Sequence, residues 1–165
     1  MKHVNKALNY RIRAAQLADI PAILALFADE VKAGRMLPRK KENMQADIQD
    51  WRVASLNDEV IGCVSLVFFN PTLCEVRSLA VAKPYRQNGL GKKMIAAALD
   101  LAQARGVPNV LTLTRSPWIF EHFGFHKDDI HNFPEKVHQD CRPCPFINCC
   151  DEVALLCKLE KRKGA

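Results

Sequence analysis

Residues 51–81, WRVASLNDEVIGCVSLVFFNPTLCEVRSLAV, hold three β-rich runs, WRVASL, VIGCVSLVFF and LCEVRSLAV, with tight turns marked by Asn57 and Asp58 and by Asn70 and Pro71. Connections this short join antiparallel neighbours, because a parallel pair needs a crossover of a dozen or more residues. A mixed α/β domain with a largely antiparallel sheet therefore fits better than a doubly wound parallel one.

The flanking segments complete this reading. YRIRAA, from Tyr10, predicts a short opening strand, and DIPAILALFADEV predicts a helix behind Asp19 as N-cap, with Pro21 in its first turn and Gly34 after its end. MLPRKKENMQADIQ gives a Pro-marked loop and a second, more polar helix. After the three strands, GKKMIAAALDLAQARG spaces Ile95, Leu99, Leu101 and Ala102 as one helix face until Gly106 stops it. VLTLT is a further strand, and SPWIFEHFGF a short helix from Ser116. FHKDDI and EVALLCKLE are expected to be a last pair of strands around an irregular, Cys- and Pro-rich segment at 138–150. At 165 residues the prior is one domain, 1–165.

Composition narrows the partners. No apolar run reaches the length of a membrane span, and the start MKHVNKALNYRIR lacks the apolar centre of a signal peptide, so a cytoplasmic protein is expected. The net charge of +6 favours anionic partners. Nucleic acid is not the expected one, because the basic residues are scattered and the tail KLEKRKGA is too short for a specific reader.

Seven cysteines without an export signal read as reduced thiols or metal ligands before disulfides. Cys141, Cys144, Cys149 and Cys150 form C-x2-C-x4-C-C. A structural zinc on Cys141, Cys144 and Cys149 with a ligand such as His138 is one reading. It is not favoured, because adjacent cysteines rarely hold one ion and no second C-x-x-C pair follows. Reduced thiols are the expected state, with a redox-labile disulfide as a third choice. Cys63, Cys74 and Cys157 fall in strands as small buried hydrophobes. His122, His126 and His131 have no evident partners.

The stretch VAKPYRQNGLGKK, 81–93, puts a glycine turn between a strand and a helix N-terminus, where unpaired N–H groups and the helix dipole favour an anion. It lacks the Lys-Ser or Lys-Thr of a P-loop and completes no dinucleotide fingerprint. With SLAV before it, Arg86-x-x-Gly89-x-Gly91 resembles the R/Q-x-x-G-x-G/A turn of the GNAT superfamily of N-acetyltransferases, with that superfamily's mixed sheet as the expected fold. The resemblance implies acetyl-CoA as co-substrate, its pyrophosphate held by Arg86, Gln87, Asn88, Gly89, Leu90, Gly91 and Lys92. Leu79, Ala80 and Val81 would line the pantetheine arm and thioester.

Further segments, from IRAAQLADIPAI and GRMLPRK through GCVSL, EVRSLAV and LTRSPWIFEHFGF to FPEKV, resemble the acetyltransferase domain of bacterial N-acetylglutamate synthases over roughly residues 10 to 138. The Cys-containing tail resembles the short form of that family, without the amino-acid-kinase domain and its arginine feedback site. This implies glutamate as a small-molecule acceptor, gripped by Arg39 and Arg115 with Ser78 and Ser116 beside them, since arginine matches carboxylate geometry. It also implies Glu75 as general base. Many GNAT enzymes carry a tyrosine acid where this chain has Phe120, and the glutamate enzymes share the Phe. Left open are another amino acid or a protein amine as acceptor, an acyl-CoA-binding module docking on a partner such as argininosuccinate lyase, and a homodimer.

Overall fold

The computed structural model describes residues 8–160. The starting heptapeptide and the last five residues, on which the signal-peptide and basic-tail readings partly rest, lie outside the described residues. The strands are β1 (Arg11–Ala14), β2 (Trp51–Leu56), β3 (Glu59–Asn70), β4 (Leu73–Val81), β5 (Asn109–Thr114), β6 (His126–Lys127) and β7 (Val153–Lys158). Their order is β1-β2-β3-β4-β5-β7-β6 in one seven-stranded sheet. β4 and β5 pair in parallel through a helical crossover, whereas β1/β2, β5/β7 and β6/β7 are antiparallel. The mixed, mostly antiparallel sheet expected from the sequence is what forms. Asn57 and Asp58 both take left-handed φ, 49° and 66°, as a primed hairpin turn requires.

The helices are α1 (Ile20–Lys32), α2 (Lys41–Ala46), α3 (Leu90–Ala104), α4 (Pro117–Glu121) and α5 (Pro134–Lys136). The last runs on into a π-turn over Val137–Cys141, where Arg142 N–H donates to Val137 O at 2.9 Å. Two compact units divide these elements. The first, Met1–Val64 with Ser78–Met94, packs Ile20, Ile23 and Phe27 of α1 with Met44, Trp51, Val53, Val60 and Cys63. The second, Ser65–Arg77 with Ile95–Ala165, has a cluster of Leu73, Leu111, Phe133 and Ala154.

Three local expectations are corrected. Asp19 stands at the N-cap position of α1 but makes no side-chain cap there, because a 3-10 turn at Leu17–Asp19 has already started the helical path. Its carboxylate instead accepts the Gln16 N–H at 2.7 Å and the Arg13 fork at 2.7 and 2.9 Å. FHKDDI yields only a two-residue strand, His126–Lys127. Asp128 takes the Asp129 N–H and Asn132 Nδ2, and Asp129 takes the His131 N–H, so local side-chain bonds displace the ladder. The segment at 138–150 is also less irregular than expected, since the helical path from Pro134 continues to Cys141.

Candidate active site

The glycine turn belongs to the first unit. After β4 a 3-10 turn, Lys83–Tyr85, leads to Gln87 and Gly89 at φ 66° and 76°, and α3 opens at Leu90. Lys93 N–H closes onto Gly89 O at 3.2 Å, which leaves the N–H groups of Leu90, Gly91 and Lys92 without helical acceptors. Arg86 turns back and donates Nε to Val81 O at 2.9 Å, while Asn88 Nδ2 donates to Arg86 O at 3.3 Å. Side chains added at Gly89 or Gly91 would meet nothing within 4 Å. The turn therefore presents backbone donors to open space, the geometry an oxyanion group needs. Gly62 differs: a Cβ there would lie 3.4 Å from Ala80 O, an ordinary contact, so that position is closely surrounded where the turn glycines are open.

Ser78 is the irregular point of β4, with φ 58° in the middle of a strand. A non-glycine residue rarely adopts this region, and inside a strand it re-aims the neighbouring side chains, as bulges do. Cys63 Sγ donates to Ser78 O at 3.4 Å. Ser78 Oγ accepts Nε of Arg39 at 2.9 Å, and Arg39 Nη1 reaches Leu37 O at 3.3 Å. Arg39 and Ser78, 39 positions apart in sequence, are thus brought together.

Three residues earlier on β4, Glu75 belongs to the second unit and is buried, 3% exposed. β4 lies between β3 and β5, so Glu75 is not an edge-strand residue facing water. Both of its oxygens accept from Lys136 Nζ, at 3.0 and 2.9 Å, and Oε2 also accepts from Arg77 Nη2 at 2.9 Å. Asp140 Oδ2 accepts from the same two cations, at 2.7 Å from Arg77 and 3.1 Å from Lys136. Burial pushes the Asp140 carboxyl up, but the Arg77 and Lys136 charges outweigh it and hold it below the usual range.

Arg115 donates Nε to Asp151 at 2.7 Å and lies 3.6 Å from Glu152. It is therefore engaged by carboxylates of its own chain. Burial pushes the Glu152 carboxyl up, against the pull of Arg115 and Lys136. Ser116 N–H donates to Thr114 Oγ1 at 2.9 Å, which fixes the entry to α4. Phe120 is buried edge-on to Phe125, with ring centroids 5.4 Å apart, and has no proton to give.

Sequence reasoning missed Arg77, Lys136, Asp140 and Glu152. The opposite charges of Lys136 and Asp140 at i,i+4 behind Pro134 were a signal of one helix face. Their meeting with β4 is a long-range event that local pattern does not encode.

The seven cysteines are all free thiols, with Cys63, Cys74 and Cys157 buried in strands. Burial pushes the Cys74 thiol up to about 12 and the Cys63 thiol up as well, so both are inert. Among the described residues no group of three His, Cys, Asp or Glu side chains is arranged to hold a metal ion. No helix among them is long and apolar enough to cross a membrane.

Comparison with known proteins agrees with this geometry. Residues 20–125 match the family model described as Acetyltransferase (GNAT) family. An uncharacterized N-acetyltransferase of Chlorobaculum tepidum is 35% identical over 145 residues, covering 88% of this chain and 94% of the relative. An amino-acid acetyltransferase of Pasteurella multocida is 27% identical over 130 residues, 78% of this chain but 30% of that protein's length. Among solved structures, N-acetylglutamate synthase of Neisseria gonorrhoeae, complexed with coenzyme A and N-acetyl-glutamate, gives a TM-score of 0.81 at 26% identity. That match covers 92% of this chain and 35% of the other. A Mycobacterium tuberculosis protein in complex with CoA gives a TM-score of 0.76 at 23% identity, over 91% and 99% of the two chains, a likeness of fold alone. With its glycine turn, its mixed sheet and a family match over more than half its length, the chain belongs to the GNAT family of acetyltransferases.

Proposed function

We propose that this protein, acting as one domain over residues 1–165, moves the acetyl group of acetyl-CoA to the α-amine of L-glutamate in the cytoplasm. The product would be N-acetylglutamate, the first intermediate of arginine biosynthesis. The observation that carries the reading is the 2.9 Å bond from Arg39 to Ser78, which fixes a guanidinium within the unit that bears the glycine turn. A cation held in this way suits a carboxylate-bearing acceptor better than a neutral amine. The relatives called amino-acid acetyltransferases and the neighbour complexed with N-acetyl-glutamate support the same choice.

In this reaction the backbone donors from Gln87 to Lys92 hold the pyrophosphate, and Leu79, Ala80 and Val81 flank the arm and thioester. Glu75 takes a proton from the ammonium of glutamate, directly or through water. The neutral nitrogen then attacks the thioester carbon, a C–N bond forms, and the C–S bond breaks. Phe120 cannot protonate the departing thiolate. That proton comes from water or from the second hydrogen on the attacking nitrogen, giving free coenzyme A. Arg39 and Arg115, with Ser78 and Ser116, hold the glutamate carboxylates, and Arg115 exchanges Asp151 for the substrate.

Purified protein with acetyl-CoA and each of the twenty amino acids, followed by release of free thiol, tests this reading. Turnover confined to glutamate is the expected result. Turnover with other acceptors overturns the glutamate assignment, and silence across the panel with thermal stabilisation by acetyl-CoA points to a protein amine or to a docking module.

A further inference from the structure

Lys136 is only 7% exposed, although an ammonium is costly to bury unless it is paired. Its hydrogens go to both oxygens of Glu75, at 3.0 and 2.9 Å, and to Asp140 at 3.1 Å. Arg77 bridges the same two carboxylates, so two cations and two anions alternate in a closed ring. The ring is assembled from Glu75 and Arg77 of β4, from Lys136 at the end of α5 and from Asp140 in the π-turn that follows, and all its members lie in the second unit. π-turns are uncommon and recur at functional sites. Stability alone explains such a ring poorly, because apolar residues of similar volume often serve a buried site as well or better.

We propose that Lys136 is a positioning residue for Glu75, holding its carboxylate in one orientation on β4, with Asp140 as the counter-charge that keeps the ring neutral. The inference rests on Glu75 being the proton acceptor. Lys136 meets both oxygens of Glu75, so the carboxylate cannot rotate without breaking a bond. Asp140 draws on the same two cations and tempers the positive charge acting on Glu75. Cys141, the next residue, sits near Lys136, Asp140 and Glu75, and burial pushes its thiol up, so it adds no charge at neutral pH. Glu152, from the segment before β7, feels Arg115, Lys136 and Glu75 and is the other carboxyl facing this ring. Cys74 adjoins Glu75 on the strand, also as an inert thiol.

The test compares Lys136→Met, Lys136→Arg and Glu75→Gln in steady-state assays from pH 5.5 to 9, using acetyl-CoA and the acceptor that turns over fastest in the panel. Lys136→Met is expected to lower kcat by about tenfold or more, with the KM for acetyl-CoA changed less than about twofold. Loss of a cation beside the base should also displace the acid limb of the rate profile upward. Lys136→Arg should recover most of the rate and the original limb. The same comparison in a Glu152→Gln background keeps the second carboxyl out of the limb. A wild-type rate and profile in Lys136→Met overturns the proposal, as does a loss of rate with no displaced limb and no recovery by arginine. If Lys136→Met fails to fold, Lys136→Met with Asp140→Asn preserves neutrality and is read by the same two outcomes. Glu75→Gln separates the two ideas. If it keeps the wild-type rate and limb, the role of Glu75 itself falls; if it removes the limb while Lys136→Met leaves it in place, only the role of Lys136 falls.

Discussion

Ser78 adopts φ 58°, a conformation that an L-residue takes at a cost of roughly 1–2 kcal/mol, and glycine would occupy it more easily. The serine supplies what glycine lacks, a hydroxyl that accepts Nε of Arg39 at 2.9 Å. With Nε committed and Nη1 on Leu37 O, the guanidinium is fixed before any acceptor arrives, and less rotamer entropy is lost on binding. Arg39→Lys should therefore raise the KM for the acceptor by about tenfold or more while leaving that for acetyl-CoA nearly unchanged, since a lysine cannot reproduce the fork. Ser78→Gly relaxes the backbone but removes the hydroxyl; it should keep or raise the Tm while still raising the acceptor KM. Equal changes in both Michaelis constants for Arg39→Lys would remove it from the acceptor site. Initial-rate kinetics and one thermal melt per variant decide this.

The strand, glycine turn and helix from Leu73 to Ala104 separate stability from binding in a way that two alanines can expose. Gly89 sits at φ 76°, so alanine there is strained even though its Cβ would meet nothing, and Gly89→Ala should cost about 1 kcal/mol or more. Gly91 lies in the first turn of α3 with no left-handed φ, so Gly91→Ala should stabilise the helix by up to about 1 kcal/mol. Both methyl groups enter the open space over the turn. Both variants should thus raise the acetyl-CoA KM, one with a lowered Tm and one with a maintained or raised Tm. Unchanged acetyl-CoA binding in Gly91→Ala would mean that the backbone there is not approached by the cofactor. These elements are also where the sequence was most legible. Two-residue turns bound β3 on both sides and open β4, and α3 is bracketed by Gly89 and Gly106, so local chemistry alone marks these ends. The turn and the residues Arg39, Ser78, Glu75 and Arg115 were named from pattern and resemblance. Their partners were not, because Lys136 and Asp140 meet β4 across 61 and 63 positions of chain, and Asp151 meets Arg115 across 36. Asp19 misled for the opposite reason: its N-cap signal was real, but an earlier 3-10 turn and Arg13 claimed the same carboxylate.

At the scale of the molecule, each compact unit carries one carboxylate that is partly or largely buried and held below its ordinary range. In the first unit Asp19 is lowered by its hydrogen bonds to Arg13 and the Gln16 N–H. In the second, Asp140 is lowered by Arg77 and Lys136 in spite of burial. A carboxyl whose pKa is lower in the folded state stabilises the fold above its unfolded value, and this stabilisation is lost as pH falls towards the folded value. Both contributions therefore stand in full at neutral pH and begin to be lost as pH falls below about 4. Asp29, Glu30 and Asp129 are lowered too, but they pair at the surface, where water and salt leave little net effect. Glu152 acts in the other direction, since burial raises it and acid relieves its charge. The net charge of +6 grows as carboxylates are protonated, so self-repulsion adds to the acid loss. Wild-type protein should accordingly keep a nearly level Tm from about pH 7 to 5 and lose it steeply below about pH 4. Asp19→Asn and Asp140→Asn should each start from a lower Tm at pH 7 and fall less steeply in acid, so that their curves approach the wild type as pH drops below about 4. Melts of the three proteins across that range provide the check, and parallel curves at every pH would show that neither carboxylate is the acid-sensitive group.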